Sequence, residues 1–150
     1  CGGHHVKIPN IHLTLAFLGN VSLNRIAVLR KIMQTLTAQA FDLTFDEICY
    51  CKHHQVIFAR PEKSPPELLS LVILLKTALE TTGFGFDNCT YKPHITLIRK
   101  ANPVAVTRLS EPVHWHVSEW SLLQSRQTGH GVEYVLLGLQ PLEQSSIHNI

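Results

Sequence analysis

The sequence has few residues of the kinds that mark disulfide-rich, membrane-spanning or strongly charged proteins. It has four cysteines, too sparse for a disulfide framework, so a reducing, cytoplasmic compartment is expected. The longest run of purely aliphatic residues is Leu71–Leu75, far short of the ~20 residues of a membrane span, so no membrane partner is expected. The formal net charge of +2 permits a local basic cleft but does not by itself predict a nucleic-acid binder.

The length and the order of the predicted elements bound the fold. A chain of 150 residues is the size of one ordinary domain, and we expect residues 1–142 to form it, with 143–150 as a tail. The chain starts at Cys1 instead of Met and enters a strand almost at once, so its natural start is expected to be missing or processed. Hairpins mix with helices without strict alternation, which favours an α+β fold with antiparallel sheet.

The individual elements are predicted from periodicity and turn residues. Residues 1–10 are predicted to be a loop, and alternation predicts a strand at Ile11–Leu18 whose odd-numbered apolar side chains face a core. Helical spacing predicts a helix after Ser22, and a second helix is predicted between the capping-box pair Ser64 and Glu67 and Gly83. The remaining strands are predicted at 41–51, 55–60, 94–98, 116–125 and 131–139.

Two stretches repeat one pattern inside apolar alternating runs. One contains His12 and Thr14, the other His94 and Thr96, each as His-x-Thr-Leu. Residues two apart on a strand share a face, so each histidine points the same way as its threonine. Either motif alone would more often be structural than catalytic, because a partly buried imidazole needs partners in any protein. Side by side, the two motifs would present two imidazoles and two hydroxyls to one cleft.

That set of groups suits displacement at phosphorus. The reaction needs a base behind the attacking oxygen and an acid behind the leaving oxygen. An imidazole with its ordinary pKa of ~6.5 can take either role near neutral pH. Threonine hydroxyls can donate hydrogen bonds to the non-bridging phosphate oxygens as negative charge builds there. This scheme needs no metal ion.

The motifs resemble those of the 2H phosphoesterase superfamily, in particular the bacterial and archaeal RNA 2′,3′-cyclic phosphodiesterases, also called 2′-5′ RNA ligases. The stretches that carry the resemblance are IHLTLAFLGNV, KPHITLIRKA and, after them, LLQSRQTGHGVEYVLL. The resemblance covers about Ile8 to Leu142. It implies an α+β domain of two pseudo-symmetric lobes, with antiparallel sheets facing a central cleft and helices on the outside. The strand and helix that the family carries ahead of the first motif are expected to be absent.

The resemblance implies metal-independent hydrolysis of an RNA 2′,3′-cyclic phosphate to a 2′-phosphate, with reversible 2′-5′ ligation in some members and no cofactor. His12 and His94 would be the acid–base pair, and Thr14 and Thr96 would bind the phosphate. The favoured assignment has His94 activate water while His12 protonates the leaving 3′ oxygen; the opposite assignment stays open. The expected partner is an RNA or nucleotide with a 2′,3′-cyclic phosphate, and a monomer is expected.

Further substrate contacts are predicted at four positions. Arg99 follows the second motif where relatives often carry arginine, although strict alternation would turn it away from His94. Ser125 and Arg126 fall where the family places a cleft-lining strand, and His130 lies in a glycine-flanked loop that could reach the cleft. Aromatic residues such as Phe58 could stack on a base, but packing is the favoured role.

Other functions compete with the phosphodiesterase. The same cleft could serve a non-catalytic relative that binds a nucleotide or an RNA end, or an enzyme acting on another cyclic nucleotide or on a U-rich RNA tail. A zinc-dependent interaction module is the third alternative, because Cys49, Cys51 and His53 share one strand face. Their spacing differs from that of a zinc knuckle, so no metal site is predicted.

Overall fold

The computed structural model describes residues 2–87 and 89–144, which hold two α-helices and strands arranged in antiparallel pairs. The predicted α+β class with antiparallel sheet is therefore confirmed. The chain divides into two compact units. Unit 1 comprises the residues up to Leu15 together with Leu43–Ser64 and Thr90–Trp115. Unit 2 comprises Ala16–Asp42, Pro65–Cys89 and the residues from His116 onward.

Unit 1 is built on a five-stranded sheet. Its strands are β1 (His4–His5), β2 (Phe41–Cys51), β3 (Val56–Arg60), β4 (Ile95–Arg99) and β5 (Thr107–Val117), and their order in the sheet is β1-β4-β3-β2-β5. Strand β2 alternates as the sequence predicts, and its apolar positions Leu43, Phe45 and Cys49 are buried. A turn joins β2 to β3, with Gln55 in the left-handed region at φ 53°.

The predicted strand at Ile11–Leu18 is wrong. Only Leu13 forms a β-bridge in this segment, and the predicted core residues Ile11 and Phe17 are 41% and 67% exposed. The segment meets β4 through the bridge between Leu13 and Ile95. The same edge of β4 also pairs with β1, and the amide of Val6 extends that pairing by donating to the carbonyl of Leu97. Residues 11–18 therefore obtain a strand partner at one point only. The predicted loop at 1–10 is also corrected, because it contains β1 and a 3₁₀ turn at Ile8–Asn10.

Unit 2 contains α1 (Ile26–Thr35), α2 (Pro66–Thr81) and the hairpin of β6 (Glu119–Thr128) with β7 (Gly131–Pro141). Helix α1 packs closely on β7 at Gly138, where an added Cβ would lie 3.2 Å from the sulfur of Met33. The guanidinium of Arg30 also donates to the carbonyl of Leu137 at 2.6 Å. Helix α2 buries one stripe, which comprises Leu68, Leu71, Val72, Leu75 and Leu79. The predicted helices are thus both present.

The capping box predicted for α2 is wrong, although its end is as predicted. Pro65 is the N-cap, and no side chain caps the helix. The residue before a proline is held out of the helical region, and Pro65 precedes Pro66 with ψ at 140°. The helix therefore begins one residue later than Ser64 and Glu67 require. At the other end Gly83 follows the helix in the left-handed region, with φ at 78°.

Strand β5 was not predicted at all from the sequence. It is the last strand of the sheet, most of its residues are exposed, and it contains Pro112. A proline is tolerated at a sheet edge because no neighbour needs its missing N–H. At the chain end, Glu143 exchanges backbone hydrogen bonds with Ala38 and Ala40, while residues 145–150 of the predicted tail lie outside the described residues. Neither described helix is long and apolar enough to cross a membrane.

Candidate active site

The two His-x-Thr motifs lie next to each other in unit 1. Leu13 and Ile95, the central residues of the motifs, are partners in an antiparallel bridge. Continuing this register by one residue on each side sets His12 opposite Thr96 and Thr14 opposite His94. Partners across an antiparallel pair share a face, and the histidines and threonines all flank the bridged residues on the same side. Each histidine therefore stands across from the threonine of the other motif.

The two imidazoles are held in the same way. The Nδ1 atom of His12 lies 2.6 Å from the carbonyl oxygen of Asn10, and that of His94 lies 2.8 Å from the carbonyl oxygen of Lys92. A carbonyl only accepts hydrogen bonds, so Nδ1 is the donor in both cases. The neutral form of each ring then carries its lone pair on Nε2. The backbone two residues earlier thus fixes both the ring orientation and the nitrogen that can exchange a proton with substrate.

Tyr91 connects the two motifs and was missed in the sequence. Its hydroxyl donates to the backbone carbonyl of Thr14 at 3.0 Å. Burial raises the pKa of the Tyr91 phenol, so the group stays protonated and remains a donor throughout the neutral range. Tyr91 lies in a loop, where the alternation used to assign side chains to faces does not apply. Its position three residues before His94 is the one sequence feature that links it to the site.

Phe58 on β3 also contributes to this face. It is the strand partner of Thr96, and its ring meets the His94 ring edge to face with centroids 5.5 Å apart. Aromatic rings favour this arrangement because the positive edge of one meets the negative face of the other. The structure thus gives Phe58 the packing role that the sequence favoured, and its packing partner is one of the two motif histidines.

A β-bulge determines where Arg99 points. Phe58 is paired with Thr96 but Ile57 is paired with Ile98, so β4 has one extra residue at this point. Ile98 therefore shares the face of Ile57, and Arg99 returns to the face of Thr96. Arg99 is exposed there and is the strand partner of His4. The strict alternation that would turn Arg99 away does not hold.

The other predicted contacts lie in unit 2, away in sequence from both motifs. Ser125 and Arg126 are neighbours on β6 and pair with Tyr134 and Glu133, so they point to opposite faces of the hairpin. His130 lies in the turn between β6 and β7, where its amide contacts the hydroxyl of Thr128. A role for these three residues in binding substrate stays a prediction.

No metal-binding cluster is present among residues 2–87 and 89–144. No three histidine, cysteine, aspartate or glutamate side chains come close enough there to hold an ion. Of the residues behind the zinc alternative, Cys49 is buried in the sheet, and burial raises the pKa of its thiol. His53 lies exposed in the following turn and contacts His54. The zinc module therefore has no support from the described residues.

Comparison with known proteins identifies the class. The solved structure of a phosphoesterase matches this fold with a TM-score of 0.88 and 29% identity, over 95% of this chain and 82% of that one. The structure of Escherichia coli LigT complexed with 3′-AMP matches with a TM-score of 0.87 and 28% identity, over 95% and 82% of the two chains. The fold is therefore that of these phosphoesterase structures.

The sequence comparisons then define the family. The family model of the 2′-5′ RNA ligase superfamily matches residues 3–129. The RNA 2′,3′-cyclic phosphodiesterase of Escherichia coli K12 is 32% identical over 125 residues, which are 82% of this chain and 70% of that protein. The chain belongs to the 2′-5′ RNA ligase superfamily. The predicted family is confirmed, as is the prediction of an enzyme of the 2H phosphoesterase class.

Proposed function

We propose that this protein hydrolyses RNA 2′,3′-cyclic phosphates to 2′-phosphates by a metal-independent mechanism that uses two histidines. The observation that carries the proposal is the Leu13–Ile95 bridge, because it pairs each histidine with the threonine of the other motif. A phosphate bound over this pair of residues has an imidazole on either side of it and a hydroxyl beside each imidazole. The family membership and the Escherichia coli relative named for this activity support the same reaction.

In the forward reaction His94 is the base and His12 is the acid. The Nε2 atom of neutral His94 takes a proton from water as the water oxygen bonds to phosphorus. The bond from phosphorus to the 3′ oxygen breaks, and protonated His12 gives its Nε2 proton to that oxygen. The product carries a 2′-phosphate and a 3′-hydroxyl. General acid–base catalysis of this kind contributes roughly 10²–10⁴-fold to a rate.

The threonines stabilise the charge that builds on the phosphate. As water attacks, negative charge grows on the two non-bridging oxygens, and the hydroxyls of Thr14 and Thr96 donate to them. The register of the Leu13–Ile95 bridge supports this role, because continuing it sets both threonines on the face of the histidines. Proton exchange with solvent then returns His94 to its neutral form and His12 to its charged form.

Ligation follows from the same chemistry. When a 5′-hydroxyl of a second RNA replaces water, His94 takes the proton of that hydroxyl and a 2′-5′ linkage forms. The reverse reaction exchanges the roles of the two histidines. Because no nucleotide cofactor enters either direction, the ligation equilibrium depends on the free-energy difference between the cyclic phosphate with a separate 5′-hydroxyl and the 2′-5′ linkage, and on the concentrations of the RNA ends.

The test is hydrolysis of an RNA oligonucleotide with a 2′,3′-cyclic phosphate, in the presence of EDTA. We expect turnover to a 2′-phosphate, and a loss of roughly 10²–10⁴-fold in both His12→Ala and His94→Ala. His114→Ala is the matched control, since His114 is an exposed imidazole of unit 1 whose Nδ1 lies 3.0 Å from the Thr44 hydroxyl. Loss of activity with EDTA, or a 3′-phosphate product, would contradict the mechanism. A folded protein that binds the RNA without turnover would be the non-catalytic relative.

A further inference from the structure

The two ends of the sheet in unit 1 differ in charge. At the end where β2 turns into β3, Lys52, His53 and His54 are all exposed. Strand β4 runs antiparallel to β3 and ends beside that turn with the exposed residues Arg99 and Lys100. We call this the basic end of the sheet, defined by Lys52, His53, His54, Arg99, Lys100 and the Arg99 partner His4.

The segments of the basic end are fixed to one another. The amide of Ala101 donates to the carbonyl of Gln55 at 2.8 Å, which joins the end of β4 to the β2–β3 turn. Gln55 and Lys100, on either side of this bond, both adopt left-handed backbone with φ of 53° and 52°. Next to them Gly3 lies so close that an added Cβ would be 2.5 Å from the carbonyl oxygen of Arg99. The basic side chains are therefore carried by backbone segments whose relative positions are fixed.

Within the β2–β3 hairpin, the carboxylates lie on the part of β2 away from the turn. Residues 1–41, 48–61 and 88–110 contain no acidic residue, so none flanks the basic end in sequence. At the far end the arginines are neutralised, because Arg60 is paired with Glu47 and Arg108 with Glu62. In contrast, no ion pair to Lys52, Arg99 or Lys100 forms within the described ranges. With a net charge of only +2, the protein concentrates unpaired positive charge at this end.

We propose that the basic end binds the phosphate backbone of the RNA, upstream of the terminal phosphate held by the two motifs. This inference rests on the proposed function for the position of that terminal phosphate. From Thr96 to Lys100 the strand advances four residues, which is roughly 13 Å. At ~3.4 Å per stacked nucleotide this spans about four nucleotides of a single strand. Exposed lysine and arginine side chains bind such a backbone without reading its sequence.

The experiment removes two charges from the basic end and compares two charges removed elsewhere. The test variant is Lys52→Gln/Lys100→Asn, where asparagine is chosen because it tolerates the left-handed backbone of position 100. The control variant is Lys31→Gln/Lys63→Gln, which changes an exposed residue on α1 and one beyond the opposite end of the β2–β3 hairpin. Each variant loses two positive charges, so the formal net charge falls from +2 to 0 in both.

Binding is measured by fluorescence anisotropy with a short single-stranded RNA that ends in a 3′-phosphate and cannot react. We expect affinity about tenfold weaker in the test variant than in the control, and a salt dependence of log K that is shallower by about 1.4, or ~0.7 per lost contact. The affinity for 3′-AMP, measured by competition, is expected to be the same in both variants because 3′-AMP carries no upstream nucleotides. Equal losses of RNA affinity in the two variants would overturn the inference.

Two further measurements separate this result from other failures. Thermal melting shows whether Lys52→Gln/Lys100→Asn folds; if it does not, the single pair Lys52→Gln and Lys63→Gln replaces the double variants with half the expected effect. Turnover of a mononucleotide 2′,3′-cyclic phosphate by the unmodified protein tests the proposed function alone. Absence of turnover together with selective loss of RNA binding at the basic end would refute the enzyme mechanism and leave the RNA surface standing.

Discussion

The hydroxyl of Tyr91 donates to the backbone carbonyl of Thr14 at 3.0 Å, so the loop before the second motif is anchored to the first motif. Within the described residues, the first motif forms one β-bridge, between Leu13 and Ile95, and the Tyr91 hydrogen bond is a second link to the second motif. Two histidines can act on one phosphate only if their separation is fixed. We therefore expect Tyr91 to position the two motifs without touching the reacting atoms.

Removing this hydroxyl is expected to affect stability and rate together. Tyr91→Phe should lower the free energy of unfolding by about 1 kcal/mol, because one side-chain hydrogen bond is lost and the Thr14 carbonyl is left without that donor. Loosening of the motif pair should lower kcat more than it raises KM. Tyr50→Phe on β2 is the matched control, and urea denaturation with steady-state kinetics measures both effects. Equal behaviour of the two variants would show that Tyr91 does not position the motifs.

The threonines are expected to act through their hydroxyl groups. Thr96→Val keeps the shape of the side chain but removes the donor, so kcat should fall on the order of 10²-fold. Thr96→Ser keeps the donor and should retain most of the activity. Single-turnover hydrolysis of a cyclic-phosphate RNA measures both. A serine variant as impaired as the valine variant would mean that position 96 matters for packing against Phe58 rather than for the phosphate.

The alternation around the first motif predicts a long strand that carries His12 and Thr14, yet only Leu13 of that strand pairs. The roles assigned to His12, Thr14, His94 and Thr96 stay predictions. Period-two patterns show which side chains share a face, and this survives in an extended segment without a partner. Whether a segment pairs depends on which neighbour is available, and here β1 already occupies part of the β4 edge. That information is tertiary and is absent from the local pattern.

The orientation of Arg99 could not be predicted for a related reason. A single bulge between the pairs Ile57–Ile98 and Phe58–Thr96 reverses every face that alternation assigns after it. The sequence ITLIR shows no glycine or proline that would mark a bulge. Strand β5 is missing from the prediction because a stretch that contains Pro112 and mostly exposed side chains resembles a loop. A strand of this kind is tolerated only at the edge of a sheet, where β5 lies.

Arg99 is expected to contribute charge and geometry that lysine cannot replace in full. On the face of Thr96 its planar guanidinium can donate two hydrogen bonds to a phosphate, whereas lysine offers a point charge. Arg99→Gln should raise KM for a cyclic-phosphate RNA by about tenfold, and the KM of Arg99→Lys should lie between those of the parent protein and Arg99→Gln. Lys63→Gln removes an equal charge from an exposed position outside the predicted site for comparison. If Arg99→Gln leaves KM unchanged, the arginine is a solvated surface charge.

His116 gives a pH dependence that is independent of the reaction. Its Nδ1 lies 2.7 Å from a carboxylate oxygen of Asp42 and its Nε2 lies 3.1 Å from the Gln144 side-chain oxygen. Both partners accept hydrogen bonds, so the arrangement favours a ring with protons on both nitrogens. The hydrogen bond that the ring donates to Asp42, followed by the one that it donates to Gln144, raises the pKa of His116 above its ordinary value.

The sign of the stability effect follows from this shift. The folded state holds the His116 proton more tightly than the unfolded chain, so the contribution is complete below the unfolded pKa of ~6.5 and is lost as pH rises through the higher folded pKa. Asp42→Asn should lower the pKa of His116, as read from its ring protons by NMR, and flatten the fall in melting temperature across that window. Thr44→Val, which removes the partner of His114 instead, should leave the slope unchanged. A His116 titration that is identical in the parent protein and in Asp42→Asn would show that the carboxylate does not hold this proton.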